Sequence, residues 1–427
     1  MGFAQLVCGQ IIKGLIYLSI EIGFIYYMIT KGINNLIGLV TLGTQEQGMY
    51  YNEATQLYER IDGDNSMKLL LAGVVTLVVI AMFCITWYIS FKSGKEVLIA
   101  KEQGQKINSF KEDFLSLFDK NAHKLFLLIP IGGLICFTVM PLIYMILIAF
   151  TNFDVNHQPP GKLFDWVGLR NFKILIASSD VLTDTFWPIL GWTVVWAFFA
   201  TFTNYFGGML LAIMINIKSL KFKKLWRTVF VITISIPAFV SLMVIRAMLN
   251  PHGIINIGLI NMGFITESLP FLTNPTWARA SVIITNMWIG IPYTMLITTG
   301  ILSNIPSEIY ESARIDGASP VKIFTKITFP YIFFITTPYL ILNFVNNFNN
   351  FNPIYLMTEG GPPTLDYFKG AGKTDLLVTW LFKLTRDSFD YCYASAIGII
   401  VFIITASLSL MVYSRTKAYK DEEGMQI

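Results

Sequence analysis

Charge is scarce in this chain of 427 residues: 14% are Asp, Glu, Lys or Arg, and 31 basic against 27 acidic side chains leave a net charge of +4. That excess is spread over several connecting segments and makes no patch wide enough for a nucleic-acid backbone. Cysteine and histidine are rarer still. Cys8, Cys84, Cys136 and Cys392 fall singly in or beside apolar stretches, which argues against a disulfide or metal framework. His123, His157 and His252 stand far apart with no ligand-type neighbour, so no metal site is expected. There is no HExxH, no GxSxG and no carboxylate pair with a supporting site, hence no expected catalytic residue. "GAGKT", Gly370 to Thr374, is an incomplete phosphate loop: Tyr367 stands where the leading glycine is required, and no strand precedes it. The chain is expected to have no ATPase site or cofactor of its own.

What is abundant is apolar surface. Hydrophobic residues make up 54% of the chain and the mean hydropathy is +0.59, far above what a soluble domain needs. Runs of about 20 residues or more, enough to cross a hydrocarbon core about 30 Å thick, recur at about 9–29, 69–91, 124–150, 187–216, 228–249, 278–302, 331–357 and 391–414. The expectation is an all-α membrane protein with about eight transmembrane helices, since spanning strands would need short alternating segments in a closed barrel. The first run lacks a charged leading region and a small-residue cleavage site, so it reads as a retained helix. Inside the runs, Glu21 and Arg246 are more consistent with snorkelling or pairing than with a proton relay. An ion-coupled secondary sugar carrier, the alternative transport reading, would need more such groups.

Basic residues set the orientation. Lys92, Lys95, Lys101, Lys106, Lys111, Lys120 and Lys124 follow the second run, and Lys218, Lys221, Lys223, Lys224 and Arg227 follow the fourth. The positive-inside rule puts both connections, and with eight spans both termini, in the cytoplasm. Residues 30–68 then form an outer loop, 151–186 a short folded outer cap, and 92–123 a polar cytoplasmic linker able to form an exposed helix. The linker divides the chain into a two-span N-terminal region with its linker, 1–123, and a six-span core, 124–427.

One cytoplasmic connection, 308–330, is unlike the others. Pro306 and Ser307 can open a helix with Glu308 in its first turn, Gly317 can end it, and Ser319 with Pro320 can start another. Two short helices joined by a bend are expected. Glu311 offers a carboxylate beside the small side chains of Ser312 and Ala313, which suits docking against a protein. An amphipathic helix lying on the membrane through Ile309, Ile315, Ile323 and Ile327 is equally compatible with the local pattern.

Glu311, Ser312, Ala313, Gly317, Ile327, Phe329 and Pro330 keep every spacing of a known motif: Glu-Ala-Ala, three residues, Gly, nine residues, Ile, one residue, Leu-Pro. The segment therefore resembles the EAA motif of ABC importer permeases, with Ser312 in place of Ala and Phe329 in place of Leu. The resemblance implies a six-helix type I importer permease core, with 308–330 as a cytoplasmic coupling helix and loop seated in a cleft of a separate ATP-hydrolysing subunit. Glu311, Ser312, Ala313 and Gly317 become the candidate ATPase-coupling residues. "NFVNNFNNFNPIYLMTEGGP" and "KTDLLVTWLF" look like the larger, eight-span membrane subunit of maltose/maltodextrin permeases, a likeness covering about the last 240 residues. The enteric version has a large extracytoplasmic domain after its third span, where this chain has about 36 residues. The implied partners are a second permease subunit, two ATP-binding subunits using ATP and Mg, an extracytoplasmic solute-binding protein, an oligosaccharide and membrane lipid, at a bacterial cytoplasmic membrane.

Within the seventh run, Asn343, Asn347 and Asn350 recur at i, i+4 and i+7 and so are expected on one helix face. Asparagines in buried helices often only bond a neighbouring helix. Six between 343 and 352, interleaved with Phe344, Phe348 and Phe351, exceed that need. Amides beside aromatic rings suit a sugar, offering partners for hydroxyls and flat faces for C–H patches. The resemblance supports this, since Asn343, Asn347, Asn350 and Tyr293 match sugar-contact positions of the family, where the compared member has Ser at position 343. Pro237, Pro292, Pro338 and Pro353 could break their helices near such a cavity.

Overall fold

A computed structural model describes residues 1–116, 118–217 and 219–414; Lys218 and the C-terminal end, both used above for orientation, lie outside these. Among the described residues, seven helices are long and apolar enough to cross a membrane: Ile11–Thr41, Ser66–Glu102, Ala122–Ile148, Val181–Asn216, Pro275–Ser303, Pro320–Thr358 and Tyr391–Tyr413. An eighth span is present if the bent pair Lys223–Ser235 and Ala238–Met248 is one crossing. The spans are numbered below in chain order, the bent pair being the fifth.

Several helices outrun their apolar segments. The second has 37 residues, about 55 Å at 1.5 Å per residue, and takes up the first part of the expected polar linker, with a short helix, Phe110–Ser116, further on. The first continues through a π turn at Met28–Gly32. The expected outer loop at 30–68 thus begins as helix and carries an antiparallel hairpin, Gly48–Asn52 against Leu57–Ile61, with Tyr51 opposite Tyr58.

The fifth span is broken at Pro237, one of the four prolines that could break a helix. Its halves meet at 92° because Pro237 has no N–H to donate and its ring would collide with the carbonyl four residues back. Ile236, ahead of the proline, is extended at φ −79°, ψ 124°, as the residue before proline prefers. Pro292 and Pro338, by contrast, sit inside unbroken helices.

Packing divides the chain into two compact units. In the first, 1–171 with 390–395, Leu42, Leu70, Ile148, Phe153 and Phe164 form the core. Phe153 stacks on Phe164 at 4.7 Å and on Tyr391 at 4.4 Å. The Asn171 amide donates to the carbonyls of Ala149 and Thr151 at 2.8 and 2.7 Å, tying down the folded segment after the third span.

In the second unit, 172–389 with the segment from 396, the fourth and sixth spans make the tightest contact. A Cβ on Gly208 would lie 2.5 Å from the Thr294 Cβ and 2.8 Å from the Met295 backbone nitrogen, and one on Gly290 would run into the Asn204 amide. Trp192, Trp196, Leu242, Val282, Ile354, Met357 and Leu376 pack nearby as one cluster. Gly208→Ala should therefore lower the melting temperature of the purified protein, at the overpacking cost of about 1–3 kcal/mol. Gly191→Ala on the same helix, where an added Cβ meets nothing within 4 Å, should leave it unchanged; thermal unfolding in detergent compares the two.

Candidate functional site

The cytoplasmic connection folds as a short helix, Ser307–Ile315, with Glu308 in its first turn. Its end is a Schellman turn: Ala318 N–H donates to Ala313 O at 2.9 Å and Gly317 N–H to Arg314 O at 3.0 Å. Gly317 takes φ +74°, a left-handed conformation that costs other residues about 1–2 kcal/mol. Ser319 Oγ then accepts from Lys322 N–H at 3.3 Å, with Pro320 at the first helical position.

What Ser319 starts is not a second short helix. Pro320–Ile323 runs through a π turn, Phe324–Thr328, into Phe329–Phe348, so the bend joins the short helix directly to the seventh span. Tyr310 Oη and Thr328 Oγ1, 3.2 Å apart, fasten the two. Glu311, Ser312 and Gly317 are exposed and Ala313 half-buried. The four isoleucines do not form one apolar stripe: Ile315 is 86% exposed whereas Ile323 is buried.

The seventh span is broken too. Helix Phe329–Phe348 stops, Asn349 and Asn350 leave the helical path, and Phe351–Thr358 resumes. Asn350, at ψ 94°, is therefore not on the helix that carries Asn343 and Asn347, and the expected three-amide face ends at Asn347. Pro353 is the local cause. Without an N–H it cannot close a bond to Asn349, and here it sits in the first turn of a new helix, where none is needed.

Asn347 is 5% exposed. Its Nδ2 donates to Thr201 Oγ1 at 3.1 Å and to Asn343 Oδ1 at 3.5 Å, and Trp196 Nε1 donates to its carbonyl at 3.0 Å. Asn343 and Asn350 are half-buried. Tyr293, on the sixth span and exposed, has its ring 6.4 Å from that of Tyr339, one turn before Asn343. The structure thus brings Asn343 and Asn347 together, reaches Tyr293 through Tyr339, and sets Asn350 at the break.

Sequence reasoning missed the fourth span's share of this site. Thr201, Asn204 and Tyr205 sit at helical spacing within "AFFATFTNYFGG", a polar stripe in an apolar run and a legible signal. Tyr205 Oη lies 2.7 Å from Thr336 Oγ1. Beyond the breaks, the second half of the fifth span packs against Phe351–Thr358, and Arg246 pairs with Glu359 at 2.8 Å. Glu21 is likewise paired, with the Met1 ammonium. In "GAGKT", Gly372 N–H is committed to Asp375 Oδ2 at 2.7 Å and is not free for a phosphate.

One apolar span broken at Pro237, another broken at Asn349–Asn350 ahead of Pro353, and a polar helix projecting from the end of the second are the features of a multi-span permease. The chain belongs to the family of binding-protein-dependent transport system inner membrane components, whose model matches residues 204–417. It is 32% identical over 428 residues to the galactooligosaccharides transport system permease protein GanP of Bacillus subtilis (strain 168), across 99% of this chain and 96% of that one. To the maltodextrin transport system permease protein MdxF of the same organism it is 33% identical over 437 residues, across 99% and 95%. The crystal structure of a bacterial ABC transporter involved in the import of the acidic polysaccharide alginate shares the fold, with a TM-score of 0.59 and 22% identity over 71% of this chain and 98% of that chain. The fold class expected from sequence, a helical ABC importer permease, is the one observed.

The Asn347 bond to Thr201 makes a measurable link between spans. Asn347→Ala and Thr201→Val should each cost about 1 kcal/mol of stability, and the double variant little more than either alone. Thermal unfolding of the four proteins checks this; fully additive losses would show that the two side chains do not act together.

Proposed function

We propose that this permease subunit of an ABC sugar importer carries oligosaccharides of the maltodextrin class, and that Glu311, Ser312, Ala313 and Gly317 couple it to the ATP-binding subunits. The carrying observation is the direct joining of the exposed helix Ser307–Ile315 to the span that bears Asn343 and Asn347. A push on that helix by a closing ATPase dimer passes through a four-residue bend into the span, with Tyr310 and Thr328 bridging the two. Glu311 is free to meet a basic side chain of the partner.

Repeated closure and opening would rock the core about the broken segment at Asn349–Asn350 and so expose the sugar site to one side and then the other. Asn343, Asn350 and Tyr293 are the side chains accessible for sugar contact, while Asn347 holds Asn343 in place. A second permease subunit completes the cavity, two ATP-binding subunits use ATP and Mg, and a solute-binding protein delivers the sugar. Both termini are assigned to the cytoplasm. Near full-length likeness to one permease named for maltodextrin and one named for galactooligosaccharides supports the oligosaccharide class. The neutral amide and aromatic lining suits such a solute. Nothing in the family or fold favours the ion-coupled carrier.

Glu311→Lys and Gly317→Asp should leave the protein in the membrane at normal amounts and reduce uptake of labelled maltodextrin to background; normal uptake would remove the coupling assignment. Asn343→Ala or Asn350→Ala should raise the half-saturating maltodextrin concentration about 2- to 10-fold, the loss of one hydrogen bond, without lowering subunit co-purification. Uptake of galactooligosaccharide in place of maltodextrin would correct the sugar and keep the mechanism.

A further inference from the structure

Beyond the break at Asn349–Asn350, on the far side from the helix Ser307–Ile315, the short helix Phe351–Thr358 has two unlike faces. Pro353, Ile354 and Met357 are buried, the last two in the cluster with Trp192, Trp196 and Leu242. Phe351 and Tyr355, one turn apart on the opposite side, are only half-buried, and Asn352 and Glu359 beside them are exposed. The packed face fixes the helix, and the aromatic face continues outward from Asn350.

A second helix, Leu377–Arg386, completes that face. Its Phe382 ring stands edge-on to Phe351 and Tyr355, with centroids 5.0 and 5.3 Å away, while Phe351 and Tyr355 stack at 4.6 Å. Arg386, one turn further on, donates from Nη1 to Tyr355 Oη at 3.0 Å and holds its guanidinium carbon 5.7 Å from the Phe382 centroid. Its Nε is 4.0 Å from Asp387, and a guanidinium so placed has N–H groups to spare for other partners.

Three rings packed together are an ordinary way to fasten two helices. Fastening does not require their place. They extend the side of the chain that carries Asn350, they stay partly uncovered, and they end in a cationic donor. Aromatic faces take the C–H patches of sugar rings and N–H groups take hydroxyls, the same pairing of groups as at Asn343 and Tyr293. The helix has eight residues, about 12 Å at 1.5 Å per residue, which is longer than a single sugar ring.

We propose that Phe351, Tyr355, Phe382 and Arg386 form an outer subsite for the sugar units of a long chain that project beyond Asn350, an inference that rests on the oligosaccharide reading above. The subsite makes the permease favour longer chains over a disaccharide, which is too short to fill both places.

The test is uptake by the complete importer reconstituted with its solute-binding protein, measured in parallel with a labelled short and a labelled long sugar. These are maltose and maltoheptaose, or galactobiose and galactotetraose if the wild type takes up galactooligosaccharides. The solute-binding protein is the same throughout, so a change between variants reports on the permease. Tyr355→Leu and Phe382→Leu, which keep apolar bulk, should each raise the half-saturating concentration of the long sugar about 3- to 10-fold and leave that of the short one at its wild-type value. Tyr355→Phe, which keeps the ring, should lose less than Tyr355→Leu. Equal losses for the two sugars, or none for either, overturn the inference and leave the transport reading intact. Loss of the second permease subunit from purified Tyr355→Leu also overturns it, by assigning the rings to the contact between subunits. A wild-type complex that takes up no oligosaccharide defeats both readings together.

Discussion

A peptide N–H or C=O surrounded by hydrocarbon has no water to bond, and each one left unmade costs several kcal/mol. Most of what this chain does structurally follows from that constraint. Its apolar runs are helices, and within the spans it abandons helical geometry at Ile236–Pro237 and at Asn349–Asn350. Irregular backbone at such depth is tolerated where it is buried in protein or lines a hydrated cavity. Beside the second break, Trp196 takes up the Asn347 carbonyl and Asn347 bonds Thr201. The pieces beyond the two breaks then pack on each other and are held by Arg246 and Glu359.

The polar side chains buried between the fourth, sixth and seventh spans around Asn347 are neutral. Thr201, Asn204, Tyr205, Asn286, Thr294 and Thr336 are buried there, with hydroxyls and amides but no carboxylate or ammonium among them. Such groups bind by hydrogen bonding without the desolvation cost of a fixed charge. That chemistry fits an uncharged, hydroxyl-rich solute. In the coupling proposed above, the push arrives at the helix Ser307–Ile315, whose join to the seventh span is only Asp316 to Ser319. Gly317 makes that join sharp, and the π turn at Phe324–Thr328 sits where the load would enter the span.

Much of this was legible beforehand, and the reasons for the rest are local. Seven of the eight expected spans followed from apolar length alone, and the eighth corresponds to the bent pair. The helix boundaries at Ser307 and Gly317 followed from capping chemistry. The right-angle bend at Pro237 did not, because proline is accommodated without a break at Pro292 and Pro338 and the sequence does not say which neighbours will accept the freed groups. Periodicity put Asn350 on the face of Asn343 and Asn347, yet Pro353, three residues later, ends that helix first. The hairpin between the first two spans was hidden because Tyr50, Tyr51, Leu57 and Tyr58 are all exposed and show no alternation of buried and solvated positions.

Coupling of this kind requires the helix around Ser312 to sit in the cleft of the ATP-hydrolysing subunit while the transporter works. In the reconstituted complex carrying Ser312→Cys, a short bifunctional thiol reagent should join this chain to a cysteine placed in the cleft of the ATP-hydrolysing subunit. That bond should halt uptake, and cleaving it should restore uptake. Free labelling of the same thiol by a water-soluble maleimide throughout turnover, with no cross-link to the ATPase, would contradict the account.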